Sequence, residues 1–286
     1  MIETRRVHSD FLVPRNIDGY IDVGLSGLLS KLAWGRPLIL RGPKGSGKTL
    51  ALEQWACTEG VPLVRQDCTE ETSVRELIGT LSIQDGKEVF ALGALTTAIE
   101  VANEEGGALL VLEEINALPP GSQKILNSIA DYRQEVNVPK IGRSFRVNRG
   151  SRIWIVGTMN PNYGGTYGLN EDFRSRFGFI DVPYMPEAKE KALLLAAFST
   201  PPSAIERNMA DKLMTLAQET RSGKFEYALS TRDLVHFVHD YEALGRDKGS
   251  ALKLLEGKFE GEHVDNYRKR VQALFDINIT ETKLYA

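Results

Sequence analysis

The sequence predicts an α/β fold in which a three-layer αβα core on a parallel sheet is followed by an all-helical domain. Over about the first 150 residues, short apolar runs alternate with helix-like stretches, as in βαβ units. Beyond Pro186 the strand signals nearly vanish and amphipathic helices follow one another. Pro183 and Pro186 bracket the change in character, and prolines mark breaks between elements. We therefore predict an α/β core over 1–185 and a helical lid domain over 186–286.

Each predicted strand is a short apolar run bounded by glycine, proline or charged residues. The five runs are 37–40, 62–65, 108–112, 153–156 and 179–182. Helices are predicted between the strands at 49–57, 92–103 and 121–133. In the second domain they are predicted at 189–198, 204–219, 231–244 and 264–275. Strands separated by helices require crossover connections, which favours a parallel sheet.

Composition excludes several classes of protein. The longest apolar run, 192–198, is far shorter than the roughly 18 residues that a membrane span needs. The polar first ten residues lack the apolar segment of a signal peptide. Cys57 and Cys68 form neither a zinc pattern nor a disulfide framework, so we expect reduced thiols in a cytoplasmic protein. A net charge of −3 argues against a protein that coats nucleic acid by bulk charge.

The most informative segment is GPKGSGKT at residues 42–49. It fits G-x-x-x-x-G-K-[ST] and lies between a predicted strand and a predicted helix, as that motif requires. Its glycines let backbone N–H groups approach phosphate oxygens. Lys48 would contact the β- and γ-phosphates, and the Thr49 hydroxyl would ligate Mg²⁺. The sequence thus predicts a core of the P-loop NTPase type that binds a nucleoside triphosphate. The predicted nucleotide-binding residues are Gly42, Pro43, Lys44, Gly45, Ser46, Gly47, Lys48, Thr49 and Leu50.

A pair of carboxylates, Glu113 and Glu114, ends the apolar strand at 108–112. Adjacent strand residues point to opposite sides, so the pair can divide two tasks. We expect Glu113 to hold the hydration shell of Mg²⁺ and Glu114 to orient the attacking water.

Further polar residues stand at the ends of other elements. Asn160 follows the strand at 153–156 and would hydrogen-bond the γ-phosphate or the lytic water. Arg174 and Arg176 precede the last strand, and an arginine supplied to a nucleotide accelerates phosphoryl transfer by about 10³–10⁵. Arg232 opens a helix in the second domain, where a cation opposes the helix dipole unless an anion is near. We expect it to contact a phosphate.

Together these segments resemble the AAA+ ATPases, and within them the CbbQ/NorQ branch of the MoxR group, over roughly residues 12–245. GPKGSGKT is similar to the Walker A motif and LLVLEEIN to Walker B. GTMNP resembles sensor 1, FRSRF the arginine-finger region and STRDL sensor 2. The family's Walker B pair is usually Asp-Glu, whereas this chain has Glu113. That departure affects the expected rate of hydrolysis more than nucleotide binding.

The resemblance implies ATP and Mg²⁺ as cofactors and a homo-oligomeric ring, usually a hexamer, with ATP at each subunit interface. Arg176, ranked before Arg174, would reach the neighbouring subunit's γ-phosphate. Hydrolysis would move the lid through Arg232. Loops from an insert at 77–95 and a hairpin at 136–149 would handle a partner protein. In the family this partner commonly carries a von Willebrand factor A domain.

Three functions fit these features. The leading one is an ATP-driven remodelling chaperone that activates a partner protein. The second is a nucleic-acid motor or defence-system ATPase, because Lys140, Arg143, Arg146 and Arg149 place four cations and no acid in the hairpin. Those cations would equally suit a solvated hairpin or an acidic protein segment. The third is an assembly ATPase with little turnover, which the Glu113 departure favours.

Overall fold

The computed structural model describes residues 2–6, 14, 16–22, 24–32, 36–161 and 167–282. The chain splits into two compact units. The first, here called the α/β unit, comprises Met1–Pro43 and Gly47–Val182. The second, the helical unit, comprises Lys44–Ser46 and Pro183–Ala286. No helix in the described ranges is long and apolar enough to cross a membrane.

The α/β unit alternates strands and helices. Its strands are Glu3–Arg6 (β1), Leu38–Arg41 (β2), Leu63–Asp67 (β3), Gly79–Gln84 (β4), Lys87–Leu92 (β5), Gly107–Glu113 (β6), Glu135–Val138 (β7), Arg143–Arg146 (β8), Arg152–Met159 (β9) and Gly178–Asp181 (β10). Its helices are Leu25–Leu32 (α1), Lys48–Glu59 (α2), Val74–Ile78 (α3), Ala94–Glu105 (α4), Pro120–Ala130 (α5) and Glu171–Arg176 (α6).

The main sheet contains the five predicted strands. Its order is β10-β2-β9-β6-β3, and every pairing is parallel. Because parallel strands end at the same edge, the segments that follow β2, β6 and β9 are brought together there. The predicted phosphate loop, acidic pair and Asn160 are those segments.

Both faces of the main sheet are buried. Leu109 and Val111 of β6 pack in one apolar cluster with helices α1 and α2. Leu110 and Leu112 face the other way and pack with α4 and α5. Alternation along one strand therefore supplies two cores, and the predicted three-layer αβα core is confirmed.

A second, smaller sheet has the order β1-β5-β4. Its hairpin, β4 with β5, occupies the position of the predicted insert at 77–95. The helix predicted from residue 92 begins instead at Ala94, because Leu92 ends β5 and Gly93 is the helix N-cap. Strands β7 and β8 pair antiparallel and form the hairpin predicted at 136–149, which begins one residue earlier, at Glu135.

The helical unit consists of Glu187–Ala196 (α7), Ala204–Glu219 (α8), Thr231–Ala243 (α9), Lys248–Glu256 (α10) and Glu262–Phe275 (α11). Its core is a separate apolar cluster that includes the fully buried Leu213, Phe237 and Tyr267. Ser203 caps α8 and Ser230 caps α9, each through a side chain that accepts a backbone N–H. Helix α10 was not predicted from the sequence pattern.

Candidate functional site

The phosphate loop leaves β2 and ends at the start of α2. Gly45 and Gly47 have φ angles of 73° and 85°, a left-handed conformation that glycine adopts without steric cost. The N–H of Gly42 donates to the carbonyl of Met159 at 3.0 Å. The start of the loop is therefore fixed to the end of β9, next to Asn160. Such a glycine-rich turn before a helix curves backbone N–H groups around phosphate.

The Lys48 ammonium lies over this loop. Its Nζ donates to the carbonyl oxygens of Gly42 at 2.9 Å and Pro43 at 2.7 Å. Helix α2 has no acidic residue in its first turn, so its positive end is not neutralised locally. Lys44 and Leu50, two other predicted nucleotide contacts, are exposed. The loop thus combines a cation and a helix N-terminus, which together suit a polyphosphate.

The Thr49 hydroxyl meets the Glu113 carboxylate. Thr49 Oγ1 donates to Glu113 Oε2 at 2.9 Å, and the Glu113 side chain is 23% exposed. The longer side chain at position 113 therefore still reaches the first turn of α2. Hydroxyl and carboxylate oxygens are metal ligands of the kind that Mg²⁺ prefers, and water and phosphate oxygens would complete its coordination shell. These residues fit the predicted Mg²⁺ site.

Glu114 has a different environment from Glu113. Its φ of 52° and ψ of 45° are left-handed, which costs a non-glycine residue about 1–2 kcal/mol. The Glu114 N–H donates to Thr158 Oγ1 at 3.2 Å, and the residue is exposed. Strained backbone concentrates at functional sites. Glu113 thus contacts Thr49 whereas Glu114 is exposed, so the two carboxylates have different environments, and their division of tasks stays a prediction.

The predicted arginines lie on α6. Arg174 is exposed, whereas Arg176 is partly buried, and its Nη1 lies 3.7 Å from Asp131 Oδ2. The pKa of Asp131 is lowered chiefly by the hydrogen bond from the Tyr132 N–H. The positive charges of Arg133 and Arg176 lower it further. Phe173 and Phe177 stack with ring centroids 4.3 Å apart and fix α6 to the unit. Arg176 is thus held by an acidic partner in its own chain.

Comparison with known proteins identifies this region. Residues 37–177, which include every predicted site residue except Arg232, match the family described as AAA domain (dynein-related subfamily). This part of the chain, just under half of its length, is similar to AAA domains. The match does not name the MoxR group, so that finer assignment stays a prediction.

Several proteins are similar to the chain beyond this domain match. The uncharacterized protein YojN of Bacillus subtilis (strain 168) is 31% identical over 193 residues, 66% of this chain and 60% of YojN. Midasin of Dictyostelium discoideum is 30% identical over 222 residues, 73% of this chain but 4% of midasin. A crystal structure of a Cytophaga hutchinsonii protein has a TM-score of 0.48 and 17% identity, covering 85% of this chain and 78% of that one. The chain covers less than two thirds of YojN.

Within residues 37–177, Asn116 was not identified from the sequence as a residue of the candidate site. Asn116 is buried, and its Nδ2 donates to the carbonyl of Asn160 at 3.1 Å. The backbone carbonyl of Asn116 accepts the N–H of Tyr167 at 2.8 Å. Asn116 therefore ties the segment after the acidic pair to the segment after β9. The sequence signal that indicates Asn116 is its position as a polar residue two places after Glu114, with Ile115 between them.

Arg232 lies outside the AAA match, on the second residue of α9. It is exposed. The start of this helix is rigid, because Ser230 Oγ and the Tyr227 hydroxyl both donate to Asp233 Oδ2, at 2.6 Å and 3.0 Å. Ser230 is the N-cap of this helix, since its hydroxyl oxygen accepts the N–H of Asp233 at 3.3 Å.

Proposed function

We propose that this protein is a Mg²⁺-dependent ATPase of MoxR type that assembles as a homo-oligomeric ring, with six subunits expected, and remodels or activates a partner protein. The observation that carries the proposal is the hydrogen bond between Glu113 and Thr49, the residue that follows Lys48 in the phosphate loop. This hydrogen bond supports a metal site that adjoins the predicted triphosphate site. When bound, Mg²⁺ would neutralise charge on the phosphates.

The roles of the residues follow from their positions. Lys48 would exchange its two loop carbonyls for phosphate oxygens. Glu114 would accept a proton from the attacking water, and Asn160 would orient that water or the γ-phosphate. Arg176 would leave Asp131, a contact of 3.7 Å, to reach the nucleotide of the neighbouring subunit.

Two exposed apolar side chains support action on a protein. Ile83 lies near the tip of the β4–β5 hairpin and is 80% exposed, and Tyr132, in the turn before β7, is 90% exposed. Aromatic and apolar side chains are enriched in the core of protein interfaces, so these two side chains would contact a polypeptide. A partner with a von Willebrand factor A domain is the one that the MoxR resemblance favours.

The test is the specific ATPase rate as a function of protein concentration. For a ring, the rate per subunit should rise with concentration, and Arg176→Ala should remove that rise. Arg133→Ala is the matched control, because Arg133 also binds Asp131 but has no proposed nucleotide contact. A rate per subunit that is flat, and equal in the wild type and Arg176→Ala, would contradict the ring proposal.

The same assay tests the two alternative functions, the nucleic-acid motor and the low-turnover assembly ATPase. In the hairpin, Arg143 pairs with Glu100 at 3.0 Å and Arg146 lies opposite Glu135 in register. These acids offset part of the positive charge that suggested nucleic acid. Stimulation by DNA that falls steeply with salt would nevertheless favour a nucleic-acid motor. A near-zero rate at every concentration would favour the low-turnover assembly ATPase.

A further inference from the structure

Arg65 on strand β3 contacts the carboxylate of Glu113. Its Nη1 lies 3.4 Å from Glu113 Oε1 and 2.7 Å from Glu53 Oε1. Arg65 and Glu113 come from neighbouring strands of the main sheet. One guanidinium nitrogen therefore stands between two acids, and one of these belongs to the proposed metal site.

The contacts form a chain of four side chains. Glu113 accepts the Thr49 hydroxyl on Oε2 and faces Arg65 with Oε1. Glu53, the second partner of Arg65, lies four residues after Thr49 on α2, and residues so spaced share one helix face. The same face of α2 thus holds both ends of the chain.

We propose that Arg65 competes with Mg²⁺ for Glu113 and that Glu53 sets the strength of this competition. The inference rests on the proposed Mg²⁺-dependent ATPase. A carboxylate that faces a guanidinium binds a cation less tightly, because the two positive charges repel one another. Glu53, at the shorter distance, draws Arg65 away from Glu113 and so favours the metal.

This arrangement predicts opposite effects for two neutralising substitutions. Arg65→Gln removes the competing charge and should tighten divalent-metal binding by about threefold to tenfold, the range for a screened unit charge near a divalent ion. Glu53→Gln leaves Glu113 as the acid facing Arg65 and should weaken binding by about threefold. The side chains of Arg65 and Glu53 are 36% and 30% exposed, so neither change should unfold the protein.

The double variant separates this coupling from a simple change in net charge. If Glu53 acts through Arg65, Glu53→Gln should have no effect in an Arg65→Gln background. If Glu53 attracts the metal directly, it should weaken binding in both backgrounds. Arg65→Lys keeps the charge and should stay closer to the wild type than Arg65→Gln does.

The experiment measures free Mn²⁺ by electron paramagnetic resonance while the ion is titrated into protein saturated with a non-hydrolysable ATP analogue. Arg5→Gln is the control, since it removes a cation from an exposed ion pair on β1, away from the main sheet. Opposite shifts, with the Glu53 effect lost in the double variant, would support the proposal. Unchanged or parallel shifts would overturn it while leaving the ATPase intact. A wild type that binds the analogue but no Mn²⁺ would overturn the proposed function itself.

Discussion

Glu190 and Arg221 form a two-point ion pair inside the helical unit, with distances of 2.7 and 2.8 Å between nitrogens and oxygens. Glu190 also accepts the hydroxyl of Thr231 at 2.6 Å, and the guanidinium lies 4.0 Å from the centre of the Tyr184 ring. Thr231 directly precedes Arg232. Glu190 therefore links α7 to the first residue of α9. This contact fixes the backbone next to Arg232, the predicted phosphate contact.

Glu190→Ala should lower the free energy of unfolding by about 3–5 kcal/mol, because it leaves a largely buried guanidinium without its partner. Side-chain exposures of 1% for Glu190 and 13% for Arg221 justify that range. Asp211→Ala is the control: Asp211 pairs with Lys191 but is 54% exposed, so the loss should stay within about 1 kcal/mol. Urea unfolding followed by circular dichroism measures both, and equal losses would contradict the assigned burial.

Lys48→Ala should abolish ATP binding, because the phosphate loop then lacks the cation that its carbonyls hold in place. Lys44→Ala, in the same loop but exposed, should bind ATP within a few-fold of the wild type. Titration calorimetry with ATP and Mg²⁺ distinguishes the two variants. Wild-type affinity in Lys48→Ala would disprove the assignment of the phosphate loop.

The elements that the sequence predicted are those with a local signal. The apolar run 108–112 lies within β6, Gly107–Glu113, because a strand buried on both faces has apolar residues at every position. Helix α8 matches its prediction at both ends, and at its N-terminus Ser203 and Glu206 form a capping box. Motif, periodicity and capping all act within a few residues, so they can be read without the fold.

The elements that the sequence missed depend on distant partners. Strand β1 is the polar segment ETRR, and its order comes from pairing with β5. Helix α10 contains Gly249 and Ser250, both poor helix formers, but Asp247 accepts their N–H groups. The contact between Arg65 and Glu113 likewise depends on the register of two strands. No local pattern reports such contacts.

The stability of the helical unit should depend on pH through Tyr227. Burial, and then the neighbouring Asp233, raises the pKa of Tyr227 to about 12 from a model-peptide value of 10.0. The unfolded chain therefore loses this proton first, and stability should fall as pH rises from 10 towards 12. Tyr227→Phe removes the hydrogen bond to Asp233 and should cost about 1 kcal/mol at pH 8.

The check is the difference in unfolding free energy between the wild type and Tyr227→Phe, measured at pH 8, 10 and 11.5. The advantage of the wild type should shrink over that interval, because the variant has no proton to lose at position 227. A difference that is constant with pH would show that Tyr227 titrates alike in the folded and unfolded chains.

The left-handed backbone of Glu114 allows its effect on stability to be separated from its effect on ATP hydrolysis. Glu114→Gln keeps the strain and removes the charge, so it should bind ATP, stall hydrolysis and leave the unfolding free energy within about 0.5 kcal/mol of the wild type. Glu114→Gly should also stall hydrolysis, yet it relieves a strain of about 1–2 kcal/mol against the entropic cost of a glycine. Its stability should therefore equal or exceed that of the wild type.

Glu113→Gln provides the comparison for the division of tasks. It weakens the proposed metal site, so hydrolysis should recover partly when Mg²⁺ is raised, whereas Glu114→Gln should not respond to Mg²⁺. Single-turnover hydrolysis at several Mg²⁺ concentrations separates the two variants. If Glu113→Gln stops turnover at every concentration while Glu114→Gln hydrolyses ATP normally, the roles of the two carboxylates are reversed. The strain at Glu114 would then have to serve the position of its neighbour and not its own carboxylate.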